Sequence, residues 1–132
     1  MDNYFNERSA SVDILIGFDL HKSLDFSLSD ELETRERAQV REYVQNILRK
    51  RSYLDFLIDH YATIDVTEMK TDLKNILRLG IFDMLFMDST PDYAAINEAV
   101  ELGKAKMGSK TGDLVNAILR NLQRDIEQLP KP

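Results

Sequence analysis

The chain has 132 residues, 43% of them hydrophobic and 30% charged, which is the length and composition of one ordinary globular domain able to bury a core. It contains no cysteine and only two histidines, His21 and His60; this excludes disulfides and thiol nucleophiles and leaves no ligand set for zinc. The formal net charge is −6, and the whole excess lies in residues 1–33, where eight acids accompany two bases, Arg8 and Lys22.

Met1-Asp2-Asn3 is acidic and no apolar stretch follows it, so no secretory leader is expected and the protein is expected to be cytoplasmic. Ser9 is placed to cap a helix running to about His21, with Val12, Leu15 and Ile16 on its buried side. Residues 24–32 alternate apolar and polar side chains, which is a strand period. No partner strand is evident elsewhere, so a loop or short helix is predicted. Ser29 or Thr34 can start the next helix, whose apolar stripe is Val40, Val44, Ile47 and Leu48 and which ends near Arg51. That helix lies in a basic segment: Arg35, Arg37, Arg41, Arg49, Lys50 and Arg51 against Glu36 and Glu42. Tyr53, Leu54, Leu57, Ile58 and Tyr61 then make a short helix ending near Ala62, and the β-branched residues 63–67 link it to the next.

Residues 72–87 organise everything else. Leu73, Ile76 and Leu77 keep helical spacing, and from Ile76 to Met87 apolar side chains point in nearly every direction. A helix apolar all round belongs inside a core. It is too short, and too interrupted by Arg78 and Asp83, to span a bilayer, and no membrane association is expected. Gly80 costs about 1 kcal/mol against alanine in a helix interior, so close approach of a neighbouring helix is predicted there. Pro91 separates this helix from one lined by Ala95, Ile96, Ala99 and Val100 and ending near Met107. Residues 108–112 are read as a glycine-bearing turn. Leu114, Val115, Ile118, Leu119 and Leu122 carry a last helix to about Gln128, and residues 129–132 should fray. The expected architecture is all-α, about six to seven helices around the 70–87 helix. A single domain over 1–132 is expected, with an acidic helix and loop at 1–33 and the main bundle at 34–128.

Three blocks, in order and in register, resemble a known family: Leu77-Arg78-Leu79-Gly80-Ile81-Phe82-Asp83-Met84-Leu85, then Ala95-Ile96-Asn97-Glu98-Ala99-Val100-Glu101-Leu102-Gly103-Lys104 after Pro91, then Leu114-Val115-Asn116-Ala117-Ile118-Leu119-Arg120. They resemble the NusB-like RNA-binding family, and Glu36-Arg37-Ala38-Gln39-Val40-Arg41-Glu42 with Leu48-Arg49-Lys50-Arg51 extends the match upstream. The resemblance implies one of two roles. One is a free-standing factor that binds single-stranded RNA with a small-subunit ribosomal protein and promotes transcription antitermination on ribosomal RNA operons. The other is the RNA-targeting N-terminal module of a 16S ribosomal RNA cytosine-C5 methyltransferase. The length suits the first; the Leu114–Arg120 block and Arg49-Lys50-Arg51 look more like the second. That methyl transfer needs a cysteine nucleophile and a methyl-donor site, and this chain has neither the cysteine nor a glycine-rich strand–helix turn. No catalytic residue, cofactor or metal is expected.

The family's arginine-rich N-terminus is replaced here by an acidic third with Arg8 as its only arginine. Repulsion from phosphate would weaken the electrostatic part of RNA affinity, and a protein–protein adaptor that has lost RNA is a third expectation, with a homodimer left open. The candidate RNA contacts are Arg8, Lys70, Lys74, Lys110, Thr111 and Asn116. Lys70, Lys74 and Arg78 stand at i, i+4 and i+8, a phosphate-tracking spacing that equally suits a solvated face. Lys110 and Thr111 open a helix whose free N–H groups favour anions, and equally suit an ordinary capped turn. Arg78, Asn97, Glu98 and Glu101 are expected to form a structural polar network, Arg78 pairing with Glu98 or Glu101. Arg49-Lys50-Arg51 complements a helix C-terminus whether or not it meets RNA, and Tyr53, Phe56 and Tyr61 suit a core as well as base stacking. Gly108-Ser109-Lys110-Thr111 lacks the first glycine of a phosphate-binding loop at the required offset.

Overall fold

The apolar 72–87 stretch becomes a helix with neighbours on every side. In the structure, a computed structural model that describes residues 5–132, the order is α1 (Glu7–His21), a 3-10 turn (Phe26–Ser29), α2 (Thr34–Arg49), α3 (Arg51–Tyr61), a second 3-10 turn (Val66–Glu68), α4 (Thr71–Phe86), α5 (Asp92–Met107) and α6 (Ser109–Arg124). No strand occurs among the described residues, so the all-α expectation holds. The opening Met1-Asp2-Asn3 lies outside the described residues. Among the described residues no helix is long and apolar enough to cross a membrane.

Every residue of α4 from Asn75 to Met84 is buried. The helix packs against α1, α2, α3, α5 and α6, which is what its all-round apolar surface requires. Ile76, Leu77, Leu79 and Ile81 are at most 1% exposed; fully burying such a side chain contributes about 1.5–3 kcal/mol. Gly80 marks the closest crossing. A Cβ built there would stand 2.9 Å from Leu119 Cδ1 on α6 and 3.0 Å from Ala99 Cβ on α5. The missing side chain lets three helices meet.

Helix boundaries depart from the sequence expectation at the start of α1, at the α2–α3 bend and at both ends of α6. At α1, Asn6 and not Ser9 is the cap. Its Oδ1 accepts from the Ser9 amide at 2.9 Å, and Ser9 Oγ accepts from the Asn6 amide at 2.9 Å. Ser9 is therefore the inner half of a reciprocal capping box. At α2 and α3, Lys50 alone forms the bend. At the end of α5, Gly108 takes φ +100°, a conformation glycine adopts without steric cost. One residue completes the reversal, α6 starts at once at Ser109, and Gly112 lies inside its first turns rather than in a loop. The last helix ends at Arg124, and the tail beyond it is anchored, with Ile126 and Leu129 half-buried against the core.

Candidate nucleic-acid interface

Two charged residues interrupt the apolar face of α4, and both are satisfied inside the bundle. Arg78, only 4% exposed, sends its Nε and Nη2 to the two oxygens of Asp55 on α3 at 2.7 and 2.8 Å. Its Nη1 reaches Asp19 on α1 at 3.0 Å and Asn75 Oδ1 at 3.1 Å. Asn75 in turn donates to Asp19 at 2.9 Å. The arginine fork thus joins α1, α3 and α4 through two carboxylates, one of them bidentate. This corrects the expected pairing: the Arg78 guanidinium turns to Asp55 and Asp19, while Glu101 on α5 pairs with Lys104 and Asn97 is exposed.

The second cluster surrounds Asp83, whose side chain is 1% exposed. Arg8 Nε donates to one carboxylate oxygen at 2.7 Å and the Tyr43 hydroxyl to the other at 2.7 Å. Burial pushes the Tyr43 phenol far above its ordinary range, and the Asp83 carboxylate raises it further. Burial opposes the charge on Arg8, but the hydrogen bond and charge of Asp83, with Glu98 adding its own negative charge, outweigh it and raise the Arg8 pKa. Glu98 therefore acts toward Arg8. At the far side of the bundle, Tyr61 donates to Asp125 at 2.7 Å; partial burial and that bond push its phenol up to about 12.

The six candidate contact residues fall into three places. Arg8 is held in the Asp83 cluster, with its side chain 16% exposed. Lys70 is the exposed residue preceding α4, and Lys74 follows one turn later, half-buried. Lys110 and Asn116 are exposed on α6, whereas Thr111 is half-buried and turns its methyl group toward Gly103 of α5. None of Lys70, Lys74 and Lys110 has a carboxylate within ion-pair distance among the described residues.

A further set of cations lies in the basic segment, where Arg49-Lys50-Arg51 was weighed as an RNA patch and Arg41 was not. Arg41 stands 4.3 Å from the centre of the Phe26 ring, Lys50 4.4 Å from that of Phe86, and Arg51 5.9 Å from that of Phe18. The basic run was visible in the sequence; the aromatic partners were not, because they come from α1, the first 3-10 turn and α4. No group of His, Cys, Asp or Glu among the described residues is arranged to hold a metal ion.

Three comparisons with known proteins bear on this arrangement. The NusB family profile matches residues 5–124. The "Probable ribosomal RNA small subunit methyltransferase B" of Synechocystis sp. is 30% identical over 123 residues, 93% of this chain and 26% of that protein; the chain thus spans about a quarter of that relative. The "Transcription antitermination protein NusB" of Ruminiclostridium cellulolyticum is 31% identical over 109 residues, 80% of this chain and 74% of that protein. A chain in the crystal structure of antitermination factors NusB and NusE in complex with dsRNA superposes with a TM-score of 0.79 at 19% identity, covering 89% of this chain and 93% of that one, a likeness of fold.

Proposed function

The chain belongs to the NusB family, and on that premise we propose that it is a non-enzymatic, cytoplasmic RNA-binding factor of the transcription-antitermination type. It acts on ribosomal RNA transcription together with a small-subunit ribosomal protein. The observation that carries this reading is the 31% identity to an antitermination protein across 74% of that protein's length. Two features of the molecule support it. Asp13 and Asp19 of the N-terminal third are paired internally with Lys106 and Arg78, so part of the repulsion expected from that third is muted. Among the described residues Lys70, Lys74 and Lys110 stand free of carboxylates, and with Asn116 and Thr111 they supply phosphate and base contacts on α4 and α6. Arg8 contributes through its position beside Asp83 rather than as a free cation.

The test is a fluorescence-anisotropy titration of a labelled RNA carrying the antitermination element. It is run single-stranded and as a duplex, with and without the ribosomal protein, at two salt concentrations. Salt-sensitive binding that tightens with the protein partner is the expected result; absence of binding in every arm overturns the reading.

A second reading rests on the methyltransferase relative, which is 30% identical over 93% of this chain. In that case the same surface delivers a catalytic domain to ribosomal RNA. The mass of the native protein in cell extract separates the two: about 15.3 kDa supports the free factor, and a much larger polypeptide supports the module.

A further inference from the structure

The cations of α2 and of the α2–α3 bend are handled differently from those that the bundle neutralises. Arg8, Arg78, Lys104 and Lys106 each meet a carboxylate. Among the described residues, Arg37, Arg41, Lys50 and Arg51 meet none within 4.0 Å. Arg41, Lys50 and Arg51 lie by aromatic rings instead. A ring fixes a cation's position without cancelling its charge, whereas a carboxylate cancels it.

At one of these positions the surface is concave. A cavity of about 320 Å³ opens between the first 3-10 turn and α2, lined by Phe26, Ser27, Ser29, Asp30, Arg37 and Arg41. Arg37 and Arg41 are one helical turn apart and so project side by side. Arg37 Nη1 is anchored on the Asp30 carbonyl at 3.3 Å and Nη2 on Thr34 Oγ1 at 3.3 Å. The Arg41 guanidinium is seated on Phe26, and Arg41 as a whole is exposed. Asp25, the nearest acid preceding the turn, is occupied in capping it through the Ser27 amide at 3.1 Å. The Asp30 side chain at the rim is the one acidic group in the lining. Two positioned guanidinium forks with free donors, one with an open planar face, match the oxygens of a phosphodiester and the face of an unstacked base.

We propose that this cavity between the Phe26–Ser29 turn and α2 is a phosphodiester-binding site for single-stranded RNA, with Arg37 and Arg41 as the phosphate contacts and Phe26 as the seat that holds Arg41 in place. The proposal rests on the RNA-binding reading above and adds to it a surface separate from the Lys70, Lys74 and Lys110 positions. Because the contact is to backbone, it weakens binding to all RNA sequences alike when removed.

The experiment is an anisotropy titration of the full chain with a labelled single-stranded RNA across a series of salt concentrations. It compares the wild type with Arg37→Ala/Arg41→Ala, Arg41→Lys and Lys70→Ala/Lys74→Ala. Each lost phosphate contact lowers the salt slope by about 0.7 for single strands. Arg37→Ala/Arg41→Ala is expected to lower it by about 1.4 and to weaken binding about tenfold. Arg41→Lys, which keeps the charge, is expected to keep most of the slope. Both side chains reach solvent, and thermal melts confirm that the variants fold. If the wild type binds and the double variant keeps its slope and affinity, the cavity proposal is overturned while the RNA-binding reading stands. If the wild type binds no RNA, both are overturned. If polyglutamate at equal charge displaces the RNA as well as unlabelled RNA does, the assignment to a phosphodiester is overturned.

Discussion

α1 and α2 lie side by side, carry opposite charge, and use it in opposite ways. α1 directs its charges into the bundle: Arg8 to Asp83, Asp13 to Lys106, and Asp19 to Arg78 and Asn75. Just beyond it, Asp25 caps the first 3-10 turn. α2 leaves Arg37 and Arg41 without carboxylate partners among the described residues and rests Arg41 on Phe26. The lesson concerns net charge. A formal charge of −6 suggests a molecule that repels phosphate, yet much of the negative charge of α1 is matched at short range by buried or half-buried cations. What a polyanion meets at the surface depends on which charges remain unmatched.

The comparison predicts a graded set of effects. Arg78→Met should be the most damaging, because it leaves Asp19 and Asp55 without their shared cation. Removing one partner of a buried pair costs about 3–5 kcal/mol, and urea denaturation should show the loss as a lower midpoint at unchanged slope. A loss below 1 kcal/mol would mean that the network adds little beyond its packing.

Tyr43→Phe comes next. It strips a donor from the buried Asp83 carboxylate, at a cost of about 1–3 kcal/mol. It also carries a pH signature. The folded phenol titrates above its unfolded value, so its contribution is complete below about pH 10 and is lost as pH rises beyond that point. Stability of the wild type should therefore fall more steeply above pH 10 than that of Tyr43→Phe. Parallel curves would show that the phenol is not coupled to folding.

Asp13→Asn should cost less, about 1 kcal/mol or below, since the Asp13–Lys106 pair is partly solvated. A loss of several kcal/mol would show that α1 depends on this pair as much as on Arg78. Arg41→Met should be smallest in stability, about 0.5–1 kcal/mol for one exposed cation–aromatic contact, while weakening RNA binding clearly. Equal losses of stability for Arg78→Met and Arg41→Met in denaturant would erase the contrast between the two helices.

The sequence made the central helix legible, since no other stretch is apolar in every direction, and Gly80 was readable as a close crossing because glycine inside such a helix needs a steric reason. The start of α6 was not legible. Gly108, Ser109 and Gly112 read as a loop by composition, but one residue at positive φ completes the turn and the rest are helical. The cap of α1 was misplaced for a related reason: Ser9 is a capping residue, and only geometry shows that Asn6 is its partner. The arginine partners were hidden more deeply. Arg78 meets Asp55 and Asp19, 23 and 59 positions away, and periodicity carries no information about contacts between distant helices. Glu98 and Glu101 lay on the next helix in the chain, which made them the natural expectation. Residues 24–32 were read as a loop or short helix, which the 3-10 turn bears out, but the seat of Arg41 on Phe26 was out of reach likewise, because local pattern does not say which later side chain such a turn meets.

The measurement that tests the account most directly is the titration of labelled single-stranded RNA with the wild-type chain at low and moderate salt, with the small-subunit ribosomal protein present and absent. Binding that weakens steeply with salt and tightens with the partner is the predicted result, in spite of the overall negative charge. Binding undetectable at low salt, with and without the partner, would contradict the account.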